Sequence, residues 1–99
     1  MQLDQLTSAD FRPHLGEEFR IHYSGELPLT VRLSQVDDFQ PGARHPGRAP
    51  FSLLFHGPKE GYLRQGTYTV EHPQMGRAEI FIVPLGNDEA GMRYEVVFG

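Results

Sequence analysis

The sequence predicts an all-β fold: a single compact barrel or two-sheet sandwich of about six mostly antiparallel meander strands, with a short N-terminal helix. The most informative block is 51–84, where apolar and alternating runs are separated by Gly-Pro, Gln-Gly and His-Pro turns. Alternate residues of a strand share one face, as Phe51, Leu53 and Phe55 would. The chain also contains 11 glycines and 8 prolines, which favour short strands joined by tight turns.

Length and composition indicate one small globular domain. The chain has 99 residues, of which 38% are hydrophobic and 22% are charged, so it can bury one core and not two. We expect residues 1–16 to contain the helical turn and residues 17–99 to form the β meander. The sequence has no cysteine, which excludes disulfides, thiolate metal sites and cysteine nucleophiles within it.

The N-terminal residues lack the basic and then apolar pattern of a signal peptide, and no apolar run approaches the length of a membrane span. The absence of cysteine is typical of a reducing compartment. We therefore expect a protein of the cytoplasm or of an assembled particle. The net charge is −4, and an acidic chain is a poor binder of nucleic acid, so we expect no nucleic-acid partner.

The first element is predicted to be a short helix or helical turn over residues 8–14. Thr7 and Ser8 precede it and are typical N-cap residues. Phe11 and Leu15 stand four residues apart, so they would share one helix face, and we expect both to anchor the helix on the core.

Six alternating runs follow the helix. The predicted strands are 18–23, 27–33, 49–56, 67–72, 77–84 and 92–98. Val36 and Phe39 fall out of the register of the second strand, so either that strand ends early or a bulge near Ser34–Gln35 shifts its phase; we favour the bulge. Residues 40–50 and 86–91 are predicted loops.

Two strands are apolar on both faces and are predicted to be central in the sheet: the third, through Leu54, and the fifth, through residues 80–83. Large aromatic side chains are expected to fill the interior of so small a barrel. Those we expect there are Phe51, Phe55, Phe81 and Tyr94.

Several segments resemble a family of small bacterial proteins of unknown function, which are sometimes encoded beside phage-tail-collar-like proteins. The residues that carry the resemblance are Leu6-Thr7-x-x-x-Phe11, Pro50-Phe51-Ser52-Leu53-Leu54-Phe55-x-Gly57-Pro58, Leu63-x-Gln65-Gly66-Thr67-Tyr68-x-x-Glu71-His72-Pro73 and Met92-x-Tyr94-Glu95-x-Val97-Phe98. The resemblance implies a stand-alone β module and suggests attachment to a tail-like or fibre-like assembly. It brings no established catalytic residues.

The sequence contains no recognisable catalytic or metal-binding motif. Its five histidines show no HExxH or other short ligand spacing. No serine lies in a Gly-x-Ser-x-Gly elbow, and Ser34 is explained by its place at a strand edge. We therefore expect no catalytic residue, no metal and no cofactor, and an enzyme would require several histidines and acids to converge in one cleft.

The segment 44–64 is the cationic part of an acidic chain. It carries four Lys or Arg and one acid, Glu60, so its net charge is +3. Arginine and tyrosine are favoured where proteins meet. The candidate interaction surface comprises Arg44, His45, Arg48, Lys59, Tyr62 and Arg64. The third strand separates two groups of these residues, which form one patch only if the loops fold back.

These observations favour a non-enzymatic structural or protein-interaction module that associates with itself or with a tail-like protein partner. The alternative is a small-molecule-binding barrel with an aromatic-lined cavity, since the chain is 11% aromatic.

Overall fold

The computed structural model describes residues 5–23, 25, 27–39 and 49–99, and these form one closed antiparallel barrel of six strands. The elements are α1 (Ser8–Phe11), a 3₁₀ turn (Arg12–His14), β1 (Glu18–His22), β2 (Leu29–Asp38), β3 (Phe51–Gly57), β4 (Gly66–His72), β5 (Gly76–Asp88) and β6 (Gly91–Phe98). The predicted fold class is confirmed, and the barrel closes. No helix in this part of the chain has the length and apolar character needed to cross a membrane.

The strands follow one another around the barrel in the order β1-β2-β3-β6-β5-β4. Two three-stranded meanders are therefore joined to each other, because β3 pairs with β6 and β4 pairs with β1. β1, β3 and β5 all end at the same end of the barrel, which we call the upper end. We call the opposite end the lower end. Residues 58–65 leave β3 and enter β4 at the upper end, and we call this segment the upper connection.

The predicted bulge lies in β2. Leu33 pairs with Phe55 of β3 and Gln35 pairs with the next residue, Leu54, so Ser34 is the additional residue. The shift returns Val36 to the interior, where it is buried. Without the bulge the second half of β2 would turn its apolar residues to solvent.

The strand boundaries differ from the prediction most in β2 and β5. β2 begins at Leu29, so Leu27 lies outside it and is 86% exposed. The predicted loop 86–91 is wrong at its start, because β5 continues to Asp88 through a second irregularity between Pro84 and Gly86. Gly86 has a positive φ of 97°, which glycine adopts without the penalty that a side chain would bring.

Side chains fill the interior. The most completely buried are Phe11, Phe19, Ile21, Val31, Leu33, Phe51, Leu53, Phe55, Val70, Ile82 and Tyr94. α1 closes the lower end with Phe11, whose ring lies 5.9 Å from that of Phe51 and 5.7 Å from that of Phe98. The core of the barrel therefore combines aromatic and aliphatic side chains.

Two predicted core residues are exposed. Phe81 is 52% exposed because its neighbours Ile80 and Ile82 face the interior, so alternation turns it outwards. β5 is thus not buried on both faces, whereas β3 nearly is. Leu15 is 43% exposed because the backbone becomes extended there, at ψ 133°, and no longer keeps the helical face of Phe11.

Candidate functional site

The described members of the predicted interaction surface lie together on the upper connection. Lys59 and Arg64 are exposed, and Tyr62 is 62% exposed. The other three residues, Arg44, His45 and Arg48, lie outside the described residues.

The described residues on either side of the segment 40–48 lie at the opposite end of the barrel from the upper connection. Phe39 and Pro50, which flank the segment 40–48, lie at the lower end, where the Phe39 N–H donates to the Pro50 carbonyl at 3.1 Å. β3 separates these attachment points from the upper connection. The three residues of the upper connection therefore form the described candidate surface.

Hydrogen bonds and one buried side chain fix the upper connection to the barrel. Leu63 is buried, and its N–H donates to the Tyr94 hydroxyl at 3.3 Å. Burial raises the pKa of Tyr94, so the phenol stays protonated at neutral pH. The Tyr68 hydroxyl donates to the Arg64 carbonyl at 2.6 Å. Tyr62 is thus displayed from an anchored backbone.

The described histidines all contact carboxylates. The pairs are His14–Glu17 at 2.8 Å, His72–Glu17 at 2.8 Å, His22–Glu71 at 2.8 Å and His56–Asp88 at 2.9 Å. All but the first join residues that are distant in the sequence, so short-range spacing gave no signal of them.

His14, Glu17 and His72 form a cluster at the lower end. Their ligand atoms lie within 4.8 Å of one another, close enough to suggest a metal site. However, the His72 Nδ1 accepts hydrogen bonds from the backbone N–H groups of Gln74 and Met75, at 3.1 and 3.3 Å. Nδ1 therefore carries no proton, and the neutral ring is protonated at Nε2, which donates to Glu17.

This tautomer opposes metal binding, since a metal needs the Nε2 lone pair and its histidine ligand normally donates from the other nitrogen. Here that nitrogen faces two donors. The cluster is accordingly a hydrogen-bonded link between the segment before β1 and the end of β4.

A second cluster lies on the outer wall near the upper end and comprises Ser34, His56 and Asp88. The Ser34 Oγ lies 2.5 Å from the His56 Nδ1, and the His56 Nε2 lies 2.9 Å from the Asp88 Oδ2. The His56 side chain is only 10% exposed. The other oxygen of Asp88 accepts from the N–H groups of Ala90 and Gly91, which holds the carboxylate in place.

Two arginines flank this cluster, because Arg32 of β2 and Arg93 of β6 are the direct cross-strand neighbours of His56. Arg93 is engaged: its Nε and Nη2 donate to the carbonyls of Gly86 and Leu85 at 3.3 and 3.1 Å. Arg32 is exposed, and its guanidinium makes no hydrogen bond or ion pair within the described residues.

A family model matches residues 6–98, from the residue before the N-cap to the last residue of β6. The chain belongs to the DUF6916 family, a domain of unknown function. No curated protein and no solved structure matches it. The expectation of an uncharacterised family is confirmed, while an association of DUF6916 proteins with tail-collar-like genes stays a prediction.

In this DUF6916 member we expect the lower cluster not to bind zinc. Calorimetric titration of the protein with Zn²⁺ near pH 7 should give no heat of specific binding, and zinc should leave the melting temperature unchanged. A zinc-dependent rise in melting temperature that disappears in both His14→Gln and Glu17→Gln would show that the amide donors of the turn do not fix the His72 tautomer.

The same cluster should make stability depend on pH in the acid range. Hydrogen bonds from His14 and then His72 hold the pKa of Glu17 below its usual value of 4.5. A carboxyl whose pKa is lower in the folded state contributes stability that is present above the unfolded pKa and lost as the pH falls through the folded pKa. We expect Glu17→Gln to flatten the loss of stability below about pH 4.5.

The measurement is urea unfolding of the wild type and the variant over a series of acidic pH values. Glu60→Gln is the matched control, because Glu60 is exposed on the upper connection and forms no hydrogen bond or ion pair within the described residues. Equal acid dependence in wild type, Glu17→Gln and Glu60→Gln would contradict the assignment.

Proposed function

We propose that this protein is a structural or protein-interaction module that docks onto a protein partner or a second copy of itself through the upper connection. The observation that carries the proposal is the exposure of Tyr62 between the two cations Lys59 and Arg64, on a segment anchored by buried Leu63. Tyrosine and arginine are enriched among the residues that dominate interface energies.

Anchoring favours binding because it reduces the ordering cost. A side chain displayed from a fixed backbone loses less conformational freedom on association than one displayed from a loose loop. The hydrogen bonds that Leu63 N–H and Arg64 C=O make to Tyr94 and Tyr68 fix the backbone on the C-terminal side of Tyr62. An acidic patch on the partner would complement Lys59 and Arg64.

Closure of the barrel limits the other means of association. Each described strand has a neighbour on both sides, so edge-to-edge pairing offers less than it would in an open sheet. The exposed side chains of the upper connection are then the better candidates. The resemblance to proteins encoded beside phage-tail-collar-like genes supports a partner in a tail-like or fibre-like assembly.

The cavity alternative has less support. Interior rings contact each other, as in the stacked pair Phe51–Phe98 at 4.6 Å and the edge-on pair Phe19–Phe55 at 5.2 Å. A ligand would have to displace such contacts. One cleft, lined by Glu18, Arg20, Glu71 and Pro73, lies on the surface.

The test is solution mass by light scattering on a sizing column, with and without the product of the neighbouring gene. We expect a complex or oligomer whose affinity falls at least about 10-fold in Tyr62→Ala and in Arg64→Ala, as truncation of a central interface residue does. Phe81→Ala is the control, because Phe81 is also an exposed aromatic residue but lies on the wall of the barrel.

Two results would oppose the proposal. One is a monomer at every concentration, with and without the product of the neighbouring gene. The other is an association that Phe81→Ala abolishes and Tyr62→Ala leaves intact, which would move the interface from the upper connection to the β5 wall.

A further inference from the structure

We propose that Ser34, His56 and Asp88 form an activated-serine site that accepts acyl groups from small anionic esters. Such an activity would be additional to docking and would lie on the barrel wall, away from Tyr62. It departs from the sequence-based expectation of no catalytic residue.

The hydrogen bonds determine where each proton lies. Asp88 is a carboxylate at neutral pH and accepts from the His56 Nε2–H at 2.9 Å. The neutral His56 ring therefore has its lone pair on Nδ1, and the Ser34 hydroxyl donates to it at 2.5 Å. The competing acceptor, the Arg32 carbonyl, lies farther from the hydroxyl, at 3.4 Å.

This order of groups is that of a nucleophile, a general base and an orienting acid. Such triads are recognised by their geometry and roles and recur on unrelated folds. Here the two ring nitrogens exchange places relative to the serine proteases, because Ser34 meets Nδ1 and Asp88 meets Nε2. The base retains its function, since either nitrogen of imidazole can take up a proton.

A local feature of the fold determines the position of each member of the site. Ser34 is the additional residue of the β2 bulge, and bulges re-aim side chains. His56 lies near the end of β3, paired with Arg32 and Arg93. Asp88 is held by the tight turn between β5 and β6.

Arg32 indicates the class of substrate. It precedes Ser34 by two residues on the same strand and faces His56 across the β2–β3 pair. Arg93 is bound to backbone carbonyls, and Arg32 forms no ion pair with Glu18, its cross-strand neighbour in β1, so among the described residues Arg32 is the cation beside the serine that remains available to an anion. A guanidinium binds a carboxylate or phosphate in a bidentate manner. An ester that carries such an anion would place its carbonyl near Ser34.

The reaction would proceed in two steps. The Ser34 Oγ forms a bond to the acyl carbon while its proton moves to the His56 Nδ1, and the carbonyl π pair moves to oxygen. Return of that pair breaks the bond to the leaving oxygen, which departs as an alcohol with the proton from His56 or as a phenolate. Where a phenolate leaves, His56 releases its proton to solvent before the second step. His56 then takes a proton from water, whose oxygen attacks the acyl carbon, and returns that proton to the Ser34 Oγ as the bond to Ser34 breaks and the acyl group leaves as a carboxylic acid.

The experiment treats the full chain with p-nitrophenyl acetate and with the anionic p-nitrophenyl hemisuccinate. Phenolate release is followed optically, and the acylated residue is located by peptide mass spectrometry. We expect the acyl group on Ser34, a rate at least about 100-fold lower in His56→Gln, and faster reaction with the anionic ester. Arg32→Gln should remove that preference.

His22→Gln is the matched control, because His22 pairs with a carboxylate on the same outer wall without a serine contact, and it should leave the rate unchanged. In the wild type, the rate should rise with pH and then level off, because a general base must be unprotonated to act; His56 faces Arg32, Arg93 and Asp88. Acylation confined to lysines or the N-terminus would overturn the proposal. A rate of Ser34 acylation that rises in proportion to the hydroxide concentration, without levelling off, would also overturn it. The acylated residue and the pH dependence of the rate are both measured on the wild-type protein, so these two results can be interpreted even if a variant fails to fold. Tyr62→Ala should not change the rate, which separates this site from docking.

Discussion

Replacement of Phe11 by alanine is expected to lower the free energy of unfolding by about 3–5 kcal/mol. Phe11 is 1% exposed and closes the lower end of the barrel against Phe19, Phe51 and Phe98. Alanine would leave a cavity that rigid strand backbones cannot close. The loss would also expose the stacked rings beneath it.

The burial of Phe11 should contribute more free energy to the attachment of α1 than the neighbouring ion pair does. Arg12 and Asp38 are bonded at 2.6 Å, and hydrogen bonding from Ser8 and then Arg12 lowers the pKa of Asp38. Both side chains of the pair are about half exposed, and surface pairs typically contribute about 0–1 kcal/mol. The aromatic contact therefore stabilises the attachment of α1 several-fold more than the ion pair does.

The measurement is urea unfolding followed by circular dichroism, with Leu15→Ala as the matched control. Leu15 stands on the same short segment but is 43% exposed, so its truncation should cost less than about 1 kcal/mol. Equal losses in the two variants would mean that α1 packs through both residues, as the helical spacing alone predicts.

Local pattern predicted most of the strands because alternation and burial coincide in them. β6 is the clearest case: Met92, Tyr94, Val96 and Phe98 are all buried. The bulge at Ser34 was also predictable, since the apolar phase changes between Leu33 and Val36 and only an additional residue restores it.

The sequence-based predictions were wrong where the spacing of apolar residues along the chain does not determine which side chains are buried. A run of four apolar residues at 80–83 indicated two buried faces, yet closure of the barrel leaves the outer face of β5 in solvent, and Phe81 with it. The pairings β3–β6 and β1–β4 join residues far apart in the chain, so no short pattern encodes them.

The activated-serine site was harder still to predict. Ser34, His56 and Asp88 come from a bulge, a strand end and a tight turn, and only the tertiary pairing brings them together. The signal available in the sequence was the predicted bulge at Ser34, opposite a strand that ends in histidine. The described part of the interaction surface, by contrast, follows from one continuous segment.

Gly91, in the turn that holds Asp88, should be the backbone position near the upper end of the barrel at which a substitution lowers stability most. Gly91 is buried and has a φ of 136°, and a Cβ at this position would overlap the Gly57 carbonyl oxygen at the end of β3. We expect Gly91→Ala to lower the free energy of unfolding by about 3 kcal/mol or more, through backbone strain together with overpacking against a main-chain atom.

Gly86→Ala separates the backbone strain from the overpacking. Gly86 also has a positive φ, in the same hairpin, but a Cβ there would meet nothing within 4 Å, so its replacement should cost only the backbone penalty of about 1–2 kcal/mol. Gly91 allows the turn to lie against β3, so Gly91→Ala should also move Asp88 away from His56. The NMR signal of the His56 Nε2–H should then disappear in Gly91→Ala and persist in Gly86→Ala. Equal stability and an unchanged signal in both variants would mean that the turn can shift without disturbing the wall, and that the Asp88–His56 contact does not depend on the close approach of Gly91 to Gly57.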